Sequence, residues 1–224
     1  MKTSKSLLIR AKDDPESEAW FRLVRIYDPL IAGWLRQGGV CDSDVADVTQ
    51  DVLIAVVKGL STFDHNGRTG AFRSWLKMIA INRCRRYRAS RSRGVPAESD
   101  SILDQLEDPR SDLSRQWDAE HDRHVLKTIF QLISVEFDNR TIEAFQRFVF
   151  KNESAAEIAA DFNVSRGQIY KFKFRVMKRL HEEARGLLDD AQGKDDSAEY
   201  RQDETQLPTS QESDDDSNSL IESR

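Results

Sequence analysis

The sequence predicts an all-α protein made of two small helical domains. Apolar residues recur at spacings of three and four along several long segments, and the alternating apolar runs typical of strands are few. With 10 Gly and 5 Pro among 224 residues, these segments are rarely interrupted. The length suits two small domains and is short for three.

Three long helices are expected in the amino-terminal domain, residues 1–93. The first begins at Asp13-Asp14-Pro15-Glu16, where acids and proline suit a first helical turn, and extends to about Arg36. The second extends from about Asp42 to Leu60 and the third from Ala71 to about Arg91, with a loop at residues 61–70. Phe72 and Trp75 have the spacing of core residues.

The charge of the chain is distributed very unevenly. Residues 189–224 contain 12 acidic and 3 basic residues, a net charge of −9, so this segment is predicted to be a disordered tail. Residues 66–95 contain nine basic residues and no acidic one, and six of the nine are arginines between Arg83 and Arg93. One or two arginines would suit a helix carboxyl terminus, but six favour a polyanionic partner, namely nucleic acid. Residues 94–118 contain seven acids and two prolines and predict a linker.

The carboxyl-terminal domain, residues 119–188, is predicted to end in a helix–turn–helix. Helices are expected near 119–137 and 139–150, before the segment Ser154–Leu180. In that segment Ser154 and Glu157 form a capping box, and Asn163 suits the left-handed turn. The second helix has an apolar stripe opposite a polar face that includes Gln168, Lys171, Arg175 and Lys178. Such a helix can enter the major groove, although a helical hairpin with a solvated basic face is the alternative.

Several other classes of protein are disfavoured by the sequence. Cys41 and Cys84 lack CxxC spacing, which argues against a zinc finger or a disulfide framework and fits a reducing cytoplasm. No apolar run of 18 residues and no signal peptide is present, so we expect a soluble protein without membrane insertion. We expect no cofactor, no metal and no catalytic residue, hence no enzyme. The enzymatic alternative is a nuclease that uses acids of the second helix as metal ligands, but His121 and His124 are expected on a surface helix and do not complete such a site.

Three segments resemble the extracytoplasmic-function group of bacterial sigma-70 factors. DVADVTQDVLIAVVKGLSTF resembles their second conserved region, GAFRSWLKMIAINRCRRYRAS the segment after it, and SAAEIAADFNVSRGQIYKFKFRVMKRL their carboxyl-terminal helix–turn–helix. Ile169 and Tyr170 match a Val-Tyr pair of the planctomycete-type subgroup, and Lys173 and Arg175 match the outer residues of its Lys-Ser-Arg triplet. Phe174 departs from the pattern, since serine is usual there.

The resemblance implies two DNA-binding domains that act with core RNA polymerase. The first, like sigma region 2, would dock on the clamp of the largest subunit and bind the minus-ten element, part of it as a single strand. The second, like sigma region 4, would bind the minus-thirty-five element and touch the flap, and the linker would pass through the polymerase. The polymerase-binding residues would be Asp44, Asp47, Gln50 and Asp51. The minus-ten residues would be Asn66, Gly67, Arg68, Asn82, Arg83, Arg85 and Arg86. The minus-thirty-five residues would be Arg166, Gln168, Tyr170, Lys171, Lys173, Arg175 and Lys178.

The resemblance also implies an anti-sigma factor as a partner and a cytoplasmic, nucleoid-associated location. The alternative within DNA binding is a dimeric helix–turn–helix regulator that acts without docking on polymerase. Such a regulator would leave the acidic linker and the polar face of the second helix without a role.

Overall fold

The structure is a computed structural model that describes residues 6–14, 17–64, 70–91 and 98–188. These residues form nine α-helices and no β-strand, which confirms the prediction of an all-α protein. The helices are α1 Leu7–Asp13, α2 Glu18–Gln37, α3 Asp42–Leu60, α4 Ala71–Arg91, α5 Glu98–Glu107, α6 Asp112–Ser134, α7 Asn139–Val149, α8 Ala155–Phe162 and α9 Arg166–Ala184. The helices predicted at 42–60 and 71–91 have the bounds expected from the sequence.

Helix α1 was not expected from the sequence. Ser6 caps it by accepting a hydrogen bond from the Ile9 amide, and Leu7, Leu8 and Ala11 are buried. Seven residues give less than two turns of periodicity, which is too little for a pattern to appear. A helix this short is stabilised by packing rather than by its own propensity, and α1 packs on α2.

The predicted linker, residues 94–118, contains more helix than expected. Helix α5 lies within it, and α6 begins at Asp112 rather than near residue 119. Ser111 caps α6 by accepting from the Ser114 amide. Leu103 and Leu106 of α5 and Trp117 of α6 are buried, and the Trp117 ring stacks on that of Trp34 with 3.7 Å between centroids. The many acids of this segment obscured the few apolar residues that anchor it.

Two apolar clusters make up the core. The larger one draws buried residues from α1 to α7 and from α9, for example Leu23, Val52, Leu76, Phe145 and Val176. Helices assigned to both predicted domains thus share one core, and the division into two domains stays a prediction. The smaller cluster joins α7, α8 and the start of α9. The predicted tail, residues 189–224, lies outside the described residues.

A buried carboxylate links the end of α9 to α1 and α2. Glu183 is fully buried, and its oxygens accept hydrogen bonds from Arg10 at 2.8 Å, Arg179 at 2.8 Å and Arg22 at 3.1 Å. Glu136, just after α6, accepts from Arg179 at 2.7 Å. Burial alone would raise the pKa of Glu183, but the three guanidinium groups outweigh it and hold the pKa below its ordinary value. We call these five residues the Glu183 network.

Candidate nucleic-acid interface

Helices α8 and α9 form a tightly joined pair. Ser154 caps α8 through the predicted capping box, in which the Glu157 carboxylate accepts from the Ser154 amide at 3.0 Å. Asn163 ends α8 with φ 51° and ψ 54°, the left-handed conformation expected of it, and Ser165 caps α9. The buried Ile158 and Ala159 pack in the smaller cluster with residues at the start of α9. The short turn between the two capped helices fixes the orientation of α9 relative to α8.

Helix α9 has one apolar side and one basic side, as predicted. Ile169, Phe172, Val176 and Leu180 are buried. On the other side Arg166, Lys171, Arg175 and Lys178 are exposed, whereas Gln168, Tyr170 and Lys173 are half-buried. We call these seven residues, which are those predicted to bind DNA here, the α9 basic face.

Aromatic rings support part of the α9 basic face. The Lys173 ammonium lies 5.4 Å from the centroid of the Phe148 ring, and the Tyr170 ring meets Phe148 edge to face. The Arg175 guanidinium lies 5.7 Å from the centroid of the Phe137 ring. Such contacts restrict a long cationic side chain to part of its range and so present its charge in a defined direction.

The second predicted DNA surface is the carboxyl-terminal half of α4. Asn82 and Arg86 are exposed, and Arg83 is half-buried. Arg85 is also half-buried, but it is paired with two carboxylates of α5, those of Asp104 at 3.0 Å and Glu107 at 2.5 Å. These hydrogen bonds raise the pKa of Arg85. Of the predicted residues on α4, Asn82, Arg83 and Arg86 are therefore the more available for a partner.

Other arginines of α4 also have partners within the chain, which the sequence did not indicate. The buried Arg88 donates a hydrogen bond to the Gly38 carbonyl, and Arg91 pairs with Asp44 at 2.7 Å. One pattern in the sequence could have predicted the pairing of Arg85. Asp104 and Glu107 are spaced i, i+3, one helical turn apart, beside the apolar Leu103 and Leu106. The number of arginines therefore overstated how many face a polyanion.

The four residues of α3 that are predicted to bind polymerase differ in their exposure. Asp47, Gln50 and Asp51 are exposed, whereas Asp44 is half-buried. The Tyr87 hydroxyl donates to the Asp44 carboxylate at 2.5 Å, and this hydrogen bond raises the pKa of Tyr87 to about 12. Asp44 thus joins α3 to α4, and the three exposed residues form the free surface.

His121 is buried and His124 is half-buried, which corrects the expectation of a surface position for both. His121 is fully buried, with Nε2 3.2 Å from the Tyr27 hydroxyl and Nδ1 2.8 Å from the Asp122 carboxylate. Half-buried His124 lies 2.8 Å through Nε2 from the Ile26 carbonyl oxygen. Burial lowers the pKa of His121, which the hydrogen bond to Asp122 opposes only in part. Both histidines hold α6 against α2.

The loop between α3 and α4 is described only at its ends. The predicted residues Asn66, Gly67 and Arg68 lie outside the described residues. At the near end, the Phe63 ring packs on Trp75 with 4.9 Å between centroids and on Phe72 with 5.6 Å. Phe72 is buried, as its helical spacing predicted, and Trp75 is half-buried. The loop therefore starts from a rigid aromatic base.

Within the described ranges, no three His, Cys, Asp or Glu side chains come together in a way that could hold a metal ion. No helix in that part of the chain combines the length and apolar character needed to cross a membrane.

Comparison with known proteins identifies the amino-terminal part of the chain. Residues 23–94 match the model of the Sigma-70 region 2 family, and the comparison with curated proteins found no match. The matched segment begins within α2 and includes α3 and α4, whereas α6 to α9 lie beyond it. The match shows that this segment of the chain is similar to region 2 of sigma-70 factors.

Proposed function

We propose that the protein is a sigma factor of the extracytoplasmic-function group, planctomycete-type, that directs core RNA polymerase to specific promoters. The observation that carries the proposal is the match of residues 23–94 to Sigma-70 region 2, together with a second basic surface on α9 outside the match. The protein binds macromolecules and catalyses no reaction of its own.

Core polymerase binds at the exposed face of α3. Asp47, Gln50 and Asp51 supply two carboxylates and an amide on one side of a helix, a surface suited to a basic partner helix. Asp44 supports this surface indirectly, since its carboxylate is held by Tyr87 and Arg91. The partner is the clamp of the largest subunit, and the flap meets the carboxyl-terminal half of the chain.

The minus-ten element is bound by α4 and the loop before it. Asn82 and Arg86 are exposed and Arg83 is half-buried, one to four residues apart on the same helix. Asn66, Gly67 and Arg68 of the loop accommodate the separated strand. Arg85 joins them when the carboxylates of Asp104 and Glu107 release it.

The minus-thirty-five element is bound by the α9 basic face, with α8 and α9 acting as a helix–turn–helix. Exposed residues near the amino terminus of α9, among them Arg166 and Lys171, reach base edges in the major groove. Arg175 and Lys178, further along, contact phosphates and fix the register.

Binding both elements at once requires the body to open. Elements about 25 base pairs apart are separated by about 85 Å along B-form DNA. A compact body of about 180 residues has a radius of gyration near 16 Å and is therefore only about 40 Å across. The Glu183 network and the pairs between α4 and α5 consequently separate when polymerase binds.

In vitro transcription tests the proposal directly. Core bacterial polymerase is supplied with a library of promoter fragments, with and without the protein, and start sites are mapped. We expect new start sites that depend on the protein and share two upstream motifs. Asp47→Asn should weaken association with polymerase, whereas Asp28→Asn, the same substitution at an exposed position of α2, should not.

Two results would contradict the proposal. One is tight binding of the isolated protein to a palindromic site, which would indicate a dimeric regulator. The other is a failure to associate with core polymerase. The cytoplasmic, nucleoid-associated location and an anti-sigma partner are parts of the same proposal. Cell fractionation checks the location, and affinity capture from the native cell checks the partner.

A further inference from the structure

The exposed phenylalanine in the middle of the α9 basic face distinguishes it from an ordinary basic helix. The Phe174 side chain is 58% exposed, although the residue is large and apolar. At 100° per residue, Gly167, Lys171, Phe174 and Lys178 fall within about 60° of one another. Phe174 lies about 160° around the helix from the buried Val176, so it faces directly away from the core.

The neighbours of Phe174 indicate what kind of surface covers it. Lys171, Arg175 and Lys178 are exposed beside it, and all three are cations. A protein surface that covered this ring with an apolar patch would have to leave those charges unpaired or supply acids around it. The major groove offers a row of phosphates on either side and base edges between them, which matches a central ring flanked by cations.

The largest apolar group that the base edges of the major groove offer to a phenyl ring is a methyl group. The ring has no hydrogen-bond donor or acceptor, so it cannot bind the nitrogen and oxygen atoms of the base edges. The apolar group on that edge is the C5-methyl of thymine. We infer that Phe174 contacts thymine methyl groups and makes the α9 basic face selective for thymine at one or two positions of its DNA element.

This inference rests on the proposed function, and its test is chosen to separate the two. The probe is the most active promoter from the library experiment, with the thymines of its upstream element replaced one at a time by deoxyuridine. Deoxyuridine lacks only the methyl group and keeps every hydrogen-bonding atom. The measurement is binding of the holoenzyme, meaning polymerase with the full chain, to each fragment.

We expect wild-type holoenzyme to bind more weakly when one or two particular methyl groups are missing. Burial of one methyl group corresponds to a loss of roughly fourfold in affinity. Phe174→Ala should bind the thymine fragment about as weakly as wild type binds the deoxyuridine fragment, and it should no longer distinguish the two. Lys178→Ala should weaken both fragments equally and keep the distinction.

Phe21→Ala is the matched control. Phe21 is 67% exposed on α2, away from the α9 basic face, and its loss should leave the thymine preference intact. Because Phe174 packs little, Phe174→Ala should fold normally, and circular dichroism with polymerase association checks this.

Three outcomes would overturn the inference. Wild-type holoenzyme that transcribes from the promoter but binds thymine and deoxyuridine fragments equally makes no methyl contact. A Phe174→Ala variant that keeps the thymine preference shows that another residue reads the methyl group. A variant that loses association with polymerase, or loses activity on promoters without the upstream element, places Phe174 on a protein contact instead. A complete absence of transcription would instead refute the proposed function, and this inference with it.

Discussion

Replacing Glu183 by glutamine should destabilise the protein strongly. Three arginines from α1, α2 and α9 donate to this one buried carboxylate, at 2.8 to 3.1 Å. Glutamine has nearly the same shape, but it is neutral. Its side-chain NH2 group, a hydrogen-bond donor, would also face the N–H donors of the arginines. Removing one partner of a buried ionic contact costs about 3–5 kcal/mol of unfolding free energy.

The lower end of that range applies here. Arg179 and Arg22 keep Glu136 as a second partner, at 2.7 and 3.5 Å, so their charges are not left uncompensated. Arg10 is about one-third exposed and can regain water. We therefore expect Glu183→Gln to lower the unfolding free energy by about 3 kcal/mol, as measured by urea denaturation at pH 7.

Glu18→Gln is the control for this measurement. It is the same substitution, and Glu18 pairs with the same Arg22 at 2.8 Å, but its side chain is 79% exposed. Exposed pairs contribute about 0–1 kcal/mol, so this variant should stay close to wild type. If Glu183→Gln were no more destabilised than Glu18→Gln, the Glu183 network would not be what joins the two halves of the chain.

The stability of Glu183→Gln at low pH tests whether the pKa of Glu183 is lowered, as the three arginines require. The pKa of Glu183 is held below its ordinary value of 4.5, so its stabilising contribution is present above that pH. As the pH falls below about 4.5, the unfolded chain takes up a proton first and the contribution is lost. The difference between wild type and Glu183→Gln should therefore shrink on acidification.

Three further predictions concern other parts of the chain. The lowered pKa of His121 keeps the folded imidazole neutral, so stability should fall as pH drops below 6.5, by up to about 1.4 kcal/mol per pH unit, and His121→Asn should flatten that slope in urea titrations. Lys178→Ala should weaken holoenzyme binding to many DNA sequences alike and reduce the slope of log affinity against log salt by about one, whereas unchanged salt dependence would remove Lys178 from the interface. Deleting residues 189–224, with their net charge of −9, should strengthen binding of the free protein to DNA at low salt if the tail shields the basic surfaces, and unchanged binding would leave it only a solubilising role.

Local sequence patterns predicted the helices whose signals are contained in a short stretch of chain. The capping box at Ser154 and Glu157, the left-handed Asn163 and the stripe on α9 each depend on residues within two turns of one another. The same holds for α3 and α4, whose long apolar repeats gave correct bounds. Such signals survive folding because they need no distant partner.

The features that the sequence did not predict all depend on residues distant in the chain. Helix α1 is stabilised by packing on α2, and His121 is buried because α2 and α4 enclose it, neither of which a local pattern encodes. The run of arginines in α4 predicts a nucleic-acid surface, but the acids that pair with Arg85 lie 19 and 22 residues further along the chain, outside the reach of a local pattern. The net charge of a segment thus predicts a binding surface only when the charges that form ion pairs within the chain are left out of the sum.

The character of these long-range contacts bears on how the protein could act at a promoter. The α8–α9 pair is held by an apolar cluster of its own with α7, so it can keep its shape when it moves as a unit. The contacts that fasten it to α1 and α2 include the charged groups of the Glu183 network, and those that cover Arg85 are carboxylates. When both partners of a buried charged contact separate, each regains hydration or a new charged partner, which offsets much of the lost attraction, whereas an exposed apolar surface regains nothing from water. On the proposed function, polymerase therefore needs to replace ionic contacts and cover the apolar residues of α9 that separation exposes, Val176 and Leu180 among them.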